Sequence, residues 1–326
     1  YNHTSPDSWL AQNHPDWFYH KGDGSPGNRI GEWPDVVDLD YSHSELWDYQ
    51  IETLKYWASM VDGFRCDVAS LVPLEFWLRA RDEVESVRPG CFWLSESIDP
   101  AFIARTRAQG IPSLSDSEIY QAFDVSYEYD IFTHFREYLM GKIPLARYAE
   151  YVNQQETIYP DNYVKLRYLE NHDNLRASFI IPDETALLNW TAFLYFQKGM
   201  VLLYGGQEVG CAHLPSLFDK DPVNWDFAAD RSEQLRYFYT MKQNPLITNG
   251  AYHVQAMIDD ILYATYSSKE KQLIGIFSLK GASSLVTVAA PDGIYVNLAD
   301  GSSVEVKFNH ICCHGVPIIF ETSRVE

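Results

Sequence analysis

The chain has 326 residues, 45 of them acidic and 25 basic, giving a formal charge of -20 at pH 7. That balance disfavours nucleic acid and anionic membrane surfaces as partners, and no run of about 18 apolar residues is present to cross a bilayer. Neutral ligands remain, and an aromatic content of 15% suits stacking on sugar rings, although most of those rings belong to an ordinary core.

Residues 4–40 are rich in Pro, Gly, Asp and aromatics, with GDGSPGNRIG at their centre and no sustained period. They predict a long ordered excursion, neither helix nor sheet. Over 42–60, Trp47, Ile51, Leu54 and Ala58 recur at helical spacing, Ser42 and Glu45 match a capping box, and Gln50, Glu52 and Lys55 fall on the water side. Apolar strands are expected at 61–64, 91–94, 121–125, 165–168 and 200–204. Helices are expected between them at 73–87, 102–108, 127–139 and 186–197, with a further one at 232–241. Strands separated by helices argue for a mostly parallel sheet covered on both faces.

After Pro245 the pattern changes to short alternating runs such as LYATYS, QLIGIF, SLVTVA, GIYVNL, SVEVKF and VPIIFE. With Asp292-Gly293 and Asp300-Gly301 as hairpin signals, residues 247–326 predict an antiparallel β domain. Cys66, Cys91, Cys211, Cys312 and Cys313 form no CxxC pair; the first three lie in apolar runs and read as buried free thiols. Unpaired cysteines tilt the compartment toward the cytoplasm.

Three apolar runs end in acid: Asp67 closes VDGFRCDVA, Glu96 closes CFWLSES, and Asp173 closes YLENHD. Carboxylates at the ends of parallel strands suit chemistry on a glycosidic bond. Only five strands of this kind are convincing, whereas a closed (β/α)₈ barrel needs eight, so either the sheet is small and open or further strands precede Tyr1.

The ordered set Asn2-His3, Asp62 to Asp67, Phe92 to Glu96 and Asn171 to Asp173 resembles the four short regions of the α-amylase family of glycoside hydrolases. A Gly-Gln-Glu run at Gly206 to Glu208, the excursion and the C-terminal β domain complete the likeness. The resemblance implies an α/β fold: a (β/α)₈ TIM barrel lacking its first three βα units in this chain, with a C-terminal antiparallel β-sandwich. Residues 1–3 and 41–246 would then form the partial barrel, 4–40 the excursion after strand three, and 247–326 the sandwich. The Asp that normally opens the first region would fall before Tyr1, so a missing N-terminal segment is expected in the natural protein.

By the same match Asp67 is the nucleophile, Glu96 the general acid/base and Asp173 the transition-state stabiliser, while His3, Arg65 and His172 bind substrate. The strand period of two puts Arg65 on the face of Asp67, where it can keep that carboxylate ionised. Glu96, near a like charge at a strand mouth, is expected to hold its proton more tightly. His43, His134 and His213 are read as structural. No cofactor is required for the chemistry, and His3, His172, Asp67 and Asp173 lack zinc-ligand spacing. Relatives place the first-region Asn at a structural calcium, so Asn2 is the candidate metal ligand, with Asp7, Asp23 or Asp35 able to add oxygens.

Family members that act on long starch chains often carry Lys-His where this chain has Ser70 and Leu71. The substitution favours a neutral maltooligosaccharide or cyclodextrin substrate, with Trp17, Phe18, Tyr19 and Trp33 walling the cleft. Retaining hydrolysis of α-1,4 or α-1,6 glucosidic bonds leads. A 4-α-glucanotransferase sharing the covalent intermediate, and a noncatalytic or truncated inactive homologue, stand as alternatives.

Overall fold

The computed structural model describes residues 1–226 and 229–324. The chain divides into two units: Tyr1–Asp130 with Tyr159–Lys165, and Ile131–Ile158 with Leu166–Glu326. Its class is the expected mixed α/β one, a five-stranded parallel sheet together with antiparallel C-terminal sheets.

In the first unit, His3–Thr4 (β1) pairs antiparallel with Val37–Asp38 (β2), His3 facing Asp38. The excursion is held by a small core of Trp17, Phe18, Val37, Leu39 and Leu46. Helix Ser44–Ala58 follows and buries Leu46, Ile51, Leu54 and Ala58. The expected capping box does not form: His43 is the N-cap, and the Ser42 N–H instead donates to Asp40 Oδ1 at 3.1 Å in a turn of its own. Gln50 is buried, against expectation, where its carbonyl accepts the Tyr1 hydroxyl at 3.2 Å.

Gly63–Cys66 (β3), Phe92–Ser95 (β4) and Val125–Tyr127 (β5) run parallel, with Gly63 opposite Phe92 and Cys66 opposite Ser95. A Cβ on Gly63 would lie 2.3 Å from the Phe92 carbonyl oxygen, so this register admits only glycine there. β5 starts later than predicted because Ser115 and Glu118 complete a capping box and draw Asp116–Ile119 into a helical turn. Helix Leu74–Glu85 covers these strands with Phe76, Trp77, Ala80 and Val84; Trp77 stacks edge-on against Phe123 with ring centroids 5.1 Å apart.

Lys165–Arg167 (β6) is shared between the units. Its approach pairs with β5 through Ser126 N–H to the Val164 carbonyl at 3.1 Å. Lys165, fully buried, bonds Asp116 and lies 3.1 Å from Asp130. Burial works against its charge, but the two carboxylates outweigh burial and raise its pKa.

In the second unit, Leu166 and Arg167 pair parallel with Met200–Val201 (β7). Helix Leu145–Ile158 was not among the expected elements, although Leu145, Tyr148, Ala149 and Val152 bury one helical stripe. Helix Glu184–Phe196 is capped by Asp183, which accepts the Ala186 N–H, and is buried almost all round. Eight further strands, Ala251–Ala256 (β8), Ile261–Ser267 (β9), Lys271–Ser278 (β10), Ser283–Thr287 (β11), Gly293–Val296 (β12), Ser303–Lys307 (β13), His310–His314 (β14) and Ile318–Ser323 (β15), form two antiparallel sheets. Their orders are β15-β10-β9-β8 and β11-β14-β13-β12, and both contribute to a core of Ile274, Ile276, Val286, Val306, Ile311 and Phe320. Asp292-Gly293 is no hairpin, since β11 and β12 are not neighbours, whereas Asp300-Gly301 does join the paired strands β12 and β13; a further tight turn, Phe308-Asn309, both at positive φ, joins β13 and β14.

Asn189, fully buried in helix Glu184–Phe196, donates to the Gly315 carbonyl at 2.7 Å and accepts the Ser278 N–H at 2.8 Å. Asn189→Ala should therefore cost about 1–3 kcal/mol for each backbone group it orphans. Thermal unfolding would show this as a lower Tm, and an unchanged Tm would mean that water replaces the amide.

Candidate active site

The site of the first unit is built where β3 and β4 end. Because residues of one strand alternate faces, Arg65 and Asp67 project together, and the parallel register brings Glu96 to the same level on the next strand. Arg65 Nη1 donates to Asp67 Oδ1 at 2.5 Å and Nη2 to Glu96 Oε1 at 2.6 Å. One guanidinium thus holds both carboxylates, which also share a side-chain hydrogen bond. The guanidinium is itself 5.7 Å from the Tyr127 ring centroid.

Burial alone would raise the Asp67 pKa, but the Arg65 hydrogen bond and charge, then His3, outweigh it and lower it below the usual carboxylate range. Glu96 is more enclosed: its second oxygen accepts the Val68 N–H at 2.8 Å. Val68 adopts the left-handed conformation at φ 43°, which a β-branched residue rarely does, and this turn is what aims its N–H at Glu96. Nothing in the sequence marks Val68 for that role.

His3, at the end of β1, brings Nε2 to 3.6 Å from Asp67 Oδ2. Its Nδ1 accepts from the Asn2 amide at 3.3 Å, which leaves Nε2 to carry a proton facing Asp67; burial lowers the ring's pKa and the Asp67 charge opposes that. Of the four aromatics expected to wall a cleft, Trp17 and Phe18 are buried in the excursion's own core and offer no face. Tyr19 lies under Arg29, whereas the Trp33 ring is 5.7 Å from His3.

In the second unit, the loop after β6 carries Asn171, His172 and Asp173. Asn171 Oδ1 accepts the Asp173 N–H at 3.0 Å and the Asn174 amide at 2.7 Å, and His172 Nε2 lies 3.3 Å from Asp173 Oδ2. The loop rests on a fully buried ion pair that the motifs did not flag: Arg176 donates to Glu170 at 2.7 Å and to the Gly205 carbonyl at 3.0 Å. Gly206, at φ 96°, turns the Gly-Gln-Glu run where a Cβ would meet Val223 at 2.8 Å. His43 occupies a helix N-cap position without a side-chain cap bond, His134 stacks on Tyr151 with centroids 3.5 Å apart, and His213 pairs with Asp221 at 2.8 Å.

The model of the family described as "Alpha amylase, catalytic domain" matches residues 31–245, and that of the "Bacterial Alpha amylase C-terminal domain" matches 253–320. The chain belongs to the α-amylase family. Its fold is that of an α-amylase from Lactobacillus plantarum, with a TM-score of 0.96 and 43% identity, covering 98% of this chain and 76% of that one. A noncanonic maltogenic α-amylase from Thermotoga neapolitana superposes with a TM-score of 0.81 at 28% identity, over 99% of this chain and 76% of that one. Among curated relatives, the intracellular maltogenic amylase of Bacillus subtilis is 24% identical over 81% of this chain and 45% of its own length. Alpha-amylase 2 of Dictyoglomus thermophilum is 20% identical over 88% and 50%. The chain thus spans about half the length of these two curated relatives.

The calcium expected at Asn2 has a poor donor set. Asn2 is buried, with its amide nitrogen 3.5 Å from Asp38 Oδ1, while Asp38 Oδ2 accepts the Arg29 backbone N–H at 2.7 Å. Asp23 is taken by Ser25, whose N–H and hydroxyl donate at 2.9 and 2.6 Å. Among the described residues, no cluster of three or more His, Cys, Asp or Glu side chains able to hold a metal includes Asp7, Asp23, Asp35 or Asp38. Calcium asks for six to eight oxygens, and two of the carboxylates on offer, Asp38 and Asp23, already hold other partners. Cys66, Cys91 and Cys211 are buried and free as expected, burial pushing the Cys66 thiol up to about 12. Among the described residues no helix is long and apolar enough to cross a membrane.

The depressed pKa of Asp67 fixes a sign. Its contribution to stability is complete above the unfolded carboxylate value, about 3.9, and is lost as pH falls through the lower folded value. In Arg65→Met the carboxyl titration of Asp67, followed by ¹³C NMR, should move to higher pH. An unmoved titration would assign the charge of Asp67 to His3 instead.

Proposed function

We propose that the natural protein is a retaining α-glucan hydrolase that cleaves α-1,4 glucosidic bonds of short maltooligosaccharides. The observation that carries this reading is the Arg65 guanidinium bonded at once to Asp67 and Glu96 on adjacent strand ends. Such a pair offers one ionised oxygen for attack and one carboxyl for proton transfer on the same bond.

In the first step an Asp67 oxygen bonds to the anomeric carbon as the glycosidic C–O bond breaks, and Glu96 gives its proton to the departing oxygen. In the second, water attacks the anomeric carbon of the glycosyl ester, Glu96 takes the water's proton, and the Asp67 carboxylate is released. The proton on His3 Nε2 is available to a sugar hydroxyl, and Arg65 keeps the nucleophile charged and aimed. For Asp173 and His172 the roles, holding sugar hydroxyls as charge develops at the anomeric carbon, rest on the motif match. Ser70 and Leu71 in place of a basic pair, and the maltogenic names of two relatives, support short chains as substrate.

The test uses the full-length protein with maltoheptaose, cyclodextrin and pullulan. Products of retained anomeric configuration are expected, and a fluorinated maltosyl fluoride should leave a sugar ester on Asp67, detectable by mass spectrometry. Glu96→Gln should slow turnover by about 10²–10⁴-fold and recover with an activated leaving group that needs no proton. Unchanged turnover in Asp67→Asn would remove the assignment, and disproportionated longer chains would make the protein a glucanotransferase.

A further inference from the structure

Arg29 sits where the excursion meets β1 and β2, and it makes more contacts than a surface arginine needs. Its backbone N–H donates to Asp38 Oδ2 at 2.7 Å, and Nη1 donates to the Leu39 carbonyl at 3.2 Å. Nη1 is also 4.0 Å from Asp38 Oδ2, and Nη2 is 3.5 Å from Asp40 Oδ1. The guanidinium lies 4.8 Å from the Tyr19 ring centroid. Asp38 is the buried member of this group: burial raises its pKa, and the Arg29 N–H and charge oppose that rise.

The same Asp38 reaches the active site. Its Oδ1 is 3.5 Å from the Asn2 amide nitrogen, which also donates to His3 Nδ1 at 3.3 Å, and His3 Nε2 faces Asp67 at 3.6 Å. The backbone is tied at the same point, with Leu39 N–H donating to the Asn2 carbonyl and Asp38 N–H to that of Gly27, both at 2.9 Å. Two carboxylates and a carbonyl, all hard oxygen donors, therefore converge on one positive charge. The charge is a side chain of the protein.

We propose that Arg29 is the built-in cation of this joint, taking the electrostatic part that a bound divalent ion would otherwise play, so that the excursion and the Asn2-His3 end of β1 are held without calcium. A guanidinium suits the place because it is planar, permanently charged and able to serve several oxygens at once. A divalent ion would have to enter beside it against direct repulsion. The inference is independent of the proposed substrate, because it is read from melting temperature and metal content.

The experiment uses full-length protein, dialysed against chelator and analysed for metal. Wild type should hold no stoichiometric calcium and should melt at the same temperature with EDTA as with added calcium. Arg29→Met should melt several degrees lower, with Arg29→Lys in between. Calcium should raise the Tm of Arg29→Met, since the substitution leaves Asp38, Asp40 and the Leu39 carbonyl without their cation. Substoichiometric metal with an EDTA-insensitive wild-type Tm supports the proposal even if Arg29→Met does not fold. One tightly held calcium per wild-type chain, or a wild-type Tm that falls on chelation, would overturn it, as would an Arg29→Met protein that melts like wild type and ignores calcium.

Discussion

Everything at the candidate active site depends on one guanidinium between two carboxylates. Asp67 and Glu96 share a side-chain hydrogen bond, and the same cation is bonded to each of them. Arg65 draws them to its two terminal nitrogens, but only because the strands deliver them at matching heights. That match is set at the far end of β3, where Gly63 lies against the Phe92 backbone with no room for a Cβ. A missing methyl group at the start of a strand thus fixes the relation between two acids at its end, because a parallel ladder transmits register residue by residue.

The acids were legible in the sequence because their signal is local: an apolar run, then a carboxylate, in an order that few proteins share. The period of two was enough to pair Arg65 with Asp67. What escaped notice depends on contacts made across long stretches of chain. Val68 matters through a backbone conformation, Arg29 through an aspartate nine residues away and Arg176 through a carbonyl 29 residues on. Composition shows that aromatics are abundant but not which way they face, which is why Trp17 and Phe18 proved to be core while Trp33 stands beside His3. Helix Leu145–Ile158 is a different case, since its apolar stripe was present in the sequence. The Asp-Gly rule failed at Asp292 because strand order, which no dipeptide encodes, decides where a hairpin can form.

A common electrostatic device recurs through this acidic chain. Arg65 stands with Asp67 and Glu96, Arg29 with Asp38 and Asp40, and Lys165 with Asp116 and Asp130. Each group sets one cation against two carboxylates, an arrangement that costs desolvation and returns it only while the cation stays. Water access separates their uses. Lys165 has no exposed side-chain surface, and its role is to hold β6 to its neighbours. Arg65 and Arg29 keep 30% and 28% of their side chains exposed. Asp67 beside Arg65 is 45% exposed, and Asp40 beside Arg29 is 32% exposed. The same triad of charges is therefore sealed from water at Lys165 and open to it at Arg65 and Arg29.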